Sequence, residues 1–180
     1  MILETVRLVT DILISGSNTM PSGSGSVNYL VNHIPKDSAD SYPPTMSVIL
    51  DETRNDMVAS GRYPNTLPAL IVTVNDNTKL NAETYSDVRD ADVSLVIRYI
   101  QFDNANSNGT QNCLYTLRAV QQCLGTWMKS DNVSQRVRNN IQVIECLSIE
   151  HVPIWPTIED VACVGALRYT FRVRDISPTV

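Results

Sequence analysis

Residues 110–128 read TQNCLYTLRAVQQCLGTWM. Along this stretch Cys113, Leu117, Val120, Leu124 and Trp127 recur at steps of four and three, with Leu114 and Met128 widening the stripe. That spacing gathers the apolar residues on one side of a helix. The preceding DNANSNGT (103–110) is a turn-rich break ending in a helix N-cap. A helix with one apolar stripe must bury it against another layer, so the segments around it decide the fold.

Those segments read as strands. In ADVSLVIRYI (91–100), Val93, Leu95, Ile97 and Tyr99 share one face, and Asp92, Ser94 and Arg98 share the other. In ALRYTFRVR (166–174), Leu167, Tyr169, Phe171 and Val173 face inward, with Arg168, Arg172 and Arg174 outward. IQVIECLSI (141–149) is expected to face Ile141, Val143, Leu147 and Ile149 inward. LPALIVTV (67–74) reads as a buried strand, with Leu70, Val72 and Val74 on one side and Ile71 on the other. Residues 75–89 would form a long hairpin connection, and a short polar helix is expected over 131–139.

The N-terminal segment repeats the helical period. Ile2, Val6, Val9 and Leu13 lie on one face of a helix over 1–14, opposite Glu4, Arg7 and Asp11. Residues 15–66 show no sustained period. They hold five prolines and the glycine-serine run SGSNTMPSGSGS (15–26). Within them only TMSVIL (45–50) suggests a strand. A loop this long inside a compact domain is uncommon, and it reads as slack or as an arm that becomes ordered on a partner. The expectation is one domain over 1–180: a helix at 1–14, an irregular arm at 15–66 and a core at 67–175. Its class is α+β, an antiparallel sheet packed on one face by a long helix and the N-terminal helix, with long loops.

Composition narrows the functions. The net charge is −5, which disfavours a sequence-independent grip on nucleic acid, since Lys and Arg supply that binding. Aromatics at 6% leave little for a base-stacking platform. No apolar run approaches the roughly 20 residues that cross a bilayer. The N-terminus lacks the basic region of a signal peptide. Four free thiols in a reducing compartment are therefore expected.

The motifs of catalysis are missing from the sequence. Gly16, Gly23 and Gly25 have no adjacent Lys, as a phosphate-cradling P-loop requires. Cys113, Cys123, Cys146 and Cys163 form no CxxC pair, and neither His33 nor His151 stands at ligand spacing from a cysteine. Glu83, Asp87, Asp90 and Asp92 could hold a divalent cation but read first as a solvated hairpin tip. The row Arg168, Arg172, Arg174 reads as a strand's solvent face, paired with acids on a neighbouring strand such as Asp92 or on a neighbouring subunit. These four acids and three arginines are the candidate subunit-interface residues. No catalytic, cofactor-binding or metal site is assigned, and the chain is read as a non-enzyme.

The order GRYPNTLPALIVTVND (61–76), DADVSLVIRYIQFDN (90–104), TQNCLYTLRAVQQCLGTWM and LRYTFRVRD (167–175) resembles the tail-terminator and neck proteins of tailed bacteriophages. The resemblance spans roughly residues 61–175. It lies in a Pro-led strand, a hairpin strand, a long helix and a closing strand pair ending in an Arg-flanked Tyr-x-Phe-x-Val. It implies a virion protein, assembled in the host cytoplasm, forming a ring, typically a hexamer. Such a ring stops growth of the tail tube and offers a surface to the head connector, with DNA passing unread through the lumen. The implied partners are further copies of the chain, the tail tube protein and the head–tail connector or neck proteins, with the tail sheath a further candidate. No cofactor is implied. The long segment 15–66 departs from the compact family pattern. Alternative readings are another head-closure or tail-completion protein, a small ligand-binding module, or an enzyme whose site comes from loop residues.

Overall fold

The structure is a computed structural model describing residues 1–17, 23–40, 42–46, 48–51, 68–75, 90–102, 109–129, 133–156 and 162–177. Helices α1 (Ile2–Ser15), α2 (Val27–Val31) and α3 (Gly109–Lys129) accompany strands β1 (Val48–Asp51), β2 (Ala69–Val74), β3 (Asp90–Phe102), β4 (Val137–Arg138), β5 (Ile141–Pro156) and β6 (Ala162–Asp175). The strands form one six-stranded sheet in the order β1-β2-β3-β6-β5-β4. Pairing from β2 to β4 is antiparallel. The α+β class read from the sequence is the class observed, and β1 adds a parallel edge to β2.

The stripe of α3 packs against the inward faces of β3 and β6. Leu117, Val120, Leu124 and Trp127 share one core with Val93, Leu95, Ile97, Tyr99, Leu167, Tyr169, Phe171 and Val173. The match follows from the two side-chain periods, which place each set on a single surface. Leu114 departs from the expected stripe and is 54% exposed. It lies four residues before Arg118 and eight before Gln122, and those exposed residues mark the side of the helix that faces away from the core. Helix α1 brings Val6, Val9, Ile12 and Leu13 to the same core.

Segment 15–66 is not an arm where it is described. Gly16 ends α1, its N–H donating to the Ile12 carbonyl at 2.7 Å. Gly23 has φ +80°, and the Ser26 hydroxyl accepts from Tyr29 N as the N-cap of α2. Val27, Leu30, Val31, Ile34 and Met46 then enter the core. Asn28 ties the segment down twice, accepting from Met46 N at 2.9 Å and donating to Met46 O at 3.2 Å. Much of the glycine-serine run is thus the punctuation between two helices. A five-residue helix offers too short a window for its period to show in the sequence.

Two further expectations are corrected. The helix expected over 131–139 is not formed by its described residues, 133–139. A 3₁₀ turn (Val133–Arg136) leads into β4, and Asn139 and Asn140 at φ 45° and 65° make the tight turn into β5. Consecutive positive φ values suit a hairpin turn, and asparagine tolerates them. Strand β5 buries Ile141 and Val143 but leaves Leu147 and Ile149 40% and 48% exposed. The register against β6 shifts between Val143 and Glu145 and again between Cys146 and Ser148. Each bulge adds a residue and breaks the alternation, so Cys146, opposite Phe171, takes the next core-facing place. Ile149 returns to the face of Tyr169 but at the rim of the core.

Candidate functional site

The outward face of β3, β6 and β5 carries a ladder of charges set by strand register. Asp90 lies opposite Arg174, Asp92 opposite Arg172, and Ser94 opposite Thr170. On the far side of β6, Arg172 faces Glu145 and Arg168 faces Glu150. The side chains close these rows. Arg174 donates to both oxygens of Asp90, at 2.7 and 2.9 Å. Arg172 donates to Asp92 at 3.4 Å and to Glu145 at 2.9 Å, spanning three strands. Arg168 donates to Glu150 at 2.8 Å.

The two-pronged contact from Arg174, helped by the charge of Arg172, holds the Asp90 carboxyl below its usual range. A depressed folded-state pKa adds stability above the ordinary carboxylate value. That contribution disappears as pH falls through the folded value.

Four of the five expected interface residues that are described therefore meet within one chain. They are Asp90, Asp92, Arg172 and Arg174, and the fifth, Arg168, finds Glu150. Glu83 and Asp87, with the rest of the expected hairpin connection over 76–89, lie outside the described residues. Of the two pairings open for the arginine row, the structure makes the one between neighbouring strands. Glu145 and Glu150 escaped the sequence reading because the bulges set which residues of β5 face outward.

Cross-strand pairs of opposite charge contribute about 0.2–1 kcal/mol each, so the ladder specifies register more than stability. The matching prediction concerns the isolated chain. Asp92→Lys and Arg172→Glu should each lower its melting temperature slightly, and the combined exchange should recover part of the loss. Recovery seen only in an assembled form, with none in the isolated chain, would show that the pairing operates between chains.

A second ionic cluster fastens the hairpin turn to the first helix. Arg138 pairs with Glu4 at 3.4 Å and with Asp11, and Asn139 donates to Glu4 at 3.0 Å. On the other side of α3, the Tyr115 hydroxyl donates to Asp40 at 2.7 Å, and that contact raises its pKa.

The remaining sequence candidates are dispersed. His33 stacks on Tyr29 at 3.8 Å and sits at 2.7 Å from the Tyr29 carbonyl. His151 Nε2 lies 3.0 Å from Gln121 on α3. Cys113 and Cys123 are buried thiols, and Cys146 is half-buried. Burial pushes the Cys123 thiol up to about 12, which keeps it un-ionised and unreactive at neutral pH. Among the described residues, no group of three His, Cys, Asp or Glu could share a metal ion. No described helix is long and apolar enough to cross a membrane. Comparison with protein-family models and with curated proteins returns no match.

Proposed function

We propose that this chain is a structural subunit of a tailed-bacteriophage neck or tail. In this reading it assembles into a ring that ends the tail tube and meets the head connector, while DNA passes through the centre. The observation that carries the reading is the order of elements. A Pro-led strand, a hairpin strand, one long helix and a closing strand pair ending in Tyr169-x-Phe171-x-Val173 build a sheet covered on one face. The charge distribution supports it. Arg168, Arg172 and Arg174 are each held by carboxylates, so they have little to offer a passing phosphate backbone. Among the described residues, strands with open edges bound the sheet on both sides, which suits a chain that joins its own kind.

The test is electron microscopy of the purified chain alone and mixed with tail tubes. Closed rings, and tubes capped at one end, are the expected result. A chain that stays monomeric both alone and with tubes would overturn the reading.

A further inference from the structure

The sheet ends on one side at the two-residue strand β4, which covers β5 only briefly. β4 pairs with Ile141 and Gln142 alone. The next part of the edge is covered by Arg136, which donates to the Ile144 carbonyl at 3.1 Å. From Glu145 onward, no strand lies beyond β5 among the described residues. Pro153 and Pro156 lack an N–H, so the edge able to exchange a full hydrogen-bond ladder runs over residues 145–152. Leu147 and Ile149 are exposed within it. At the opposite end of the sheet, β1 is the last strand among the described residues.

We infer that the β5 edge over residues 145–152 docks the β1 strand of a second copy of this chain, so that the sheet continues from subunit to subunit. The strand directions favour this occupant. β1 runs with β2, against β3, with β6 and against β5. A copy turned about an axis along the strands brings its β1 beside β5 in antiparallel orientation, the slightly more stable pairing. The competing two-fold arrangement, β5 against β5, brings the Glu145 and Glu150 pairs of both copies together on one face, where like charges oppose pairing. β1 is a short apolar strand, VILD, with no basic or proline residue to blunt it. Contact between two different edges is heterologous, the kind that closes rings or runs on as open filaments. The inference therefore rests on the proposed assembly and specifies the surface that makes it.

The test is amide hydrogen exchange on the assembled and the dilute chain, with self-association followed by sedimentation. On assembly, amides of residues 145–152 and 48–51 should both slow about tenfold or more. The double variant Leu147→Lys with Ile149→Lys should weaken self-association by about tenfold or more while keeping the monomer's melting temperature, because both side chains are already exposed. Rings without new protection at either edge would overturn the edge contact and leave the ring reading standing. Protection at both edges in open filaments would support the contact and remove the ring. A two-subunit species protected at β5 alone, or a chain with no self-association, would overturn the inference.

Discussion

Replacing Trp127 by alanine is expected to destabilise the chain by about 3–5 kcal/mol. The indole is completely buried and meets the Phe171 ring edge-on, with centroids 6.1 Å apart. Phe171 in turn stacks on Tyr169 at 5.6 Å, so one residue of α3 locks onto an aromatic pair of β6. The ring nitrogen also donates to the Gln135 carbonyl at 3.0 Å, and the Gln135 side chain accepts from Ser17 at 2.8 Å. One side chain thus joins the long helix, the sheet, the 3₁₀ turn and the end of α1.

Alanine would leave a large void and strand a buried carbonyl. Phenylalanine would keep most of the volume and lose the hydrogen bond, with an expected loss of about 1–3 kcal/mol. At roughly 2–4 °C per kcal/mol for a chain of this size, alanine should lower the melting temperature by about 6–20 °C. A change below about 2 °C would mean that the helix does not seal the sheet here.

The same physics explains what was legible in the sequence. Trp127, Leu117 and the inward residues of β3 and β6 were visible because long unbroken periods place them on one face. Their outward partners were half visible. Alternation marked Arg168, Arg172 and Arg174 as outward, and it allowed pairing with Asp92 across the strands. Glu145 and Glu150 were hidden behind two bulges, since a pattern of period two cannot show where it slips. The same slip turns Leu147 out of the core, whereas Ile149 keeps the expected face and is exposed because it lies at the rim. β4 was too short to stand out, and the Asn139–Asn140 turn was absorbed into an expected helix because its neighbours are polar. The apolar residues of α2 were present in the sequence. What concealed them was the glycine-serine context, which suggests slack when a whole segment is weighed by composition.

Gly16 shows how ordered that context is. Replacing it by alanine is expected to cost about 2–5 kcal/mol. Its φ of 76° with ψ of −180° falls in a region that is essentially reserved for glycine. A Cβ would also lie 2.5 Å from the Gly25 carbonyl carbon and 2.6 Å from the Ser26 nitrogen. Those atoms are backbone, so no rotamer change relieves the contact. Moving them would disturb the Ser26 cap and the helix that brings Val27, Leu30 and Val31 into the core.

Gly23 is the control. It also has positive φ, +80°, but a Cβ there would meet nothing within 4 Å, so Gly23→Ala should show only the backbone preference, about 1–2 kcal/mol. A larger loss at Gly16 in chemical denaturation would report its glycine-only backbone conformation and the close approach together. Equal losses would show that the two segments do not pack. If that packing holds, deleting residues 16–30 removes the stop of α1, the cap of α2 and two core positions at once. The expected product is an unfolded chain, where a dispensable arm would have left a folded one.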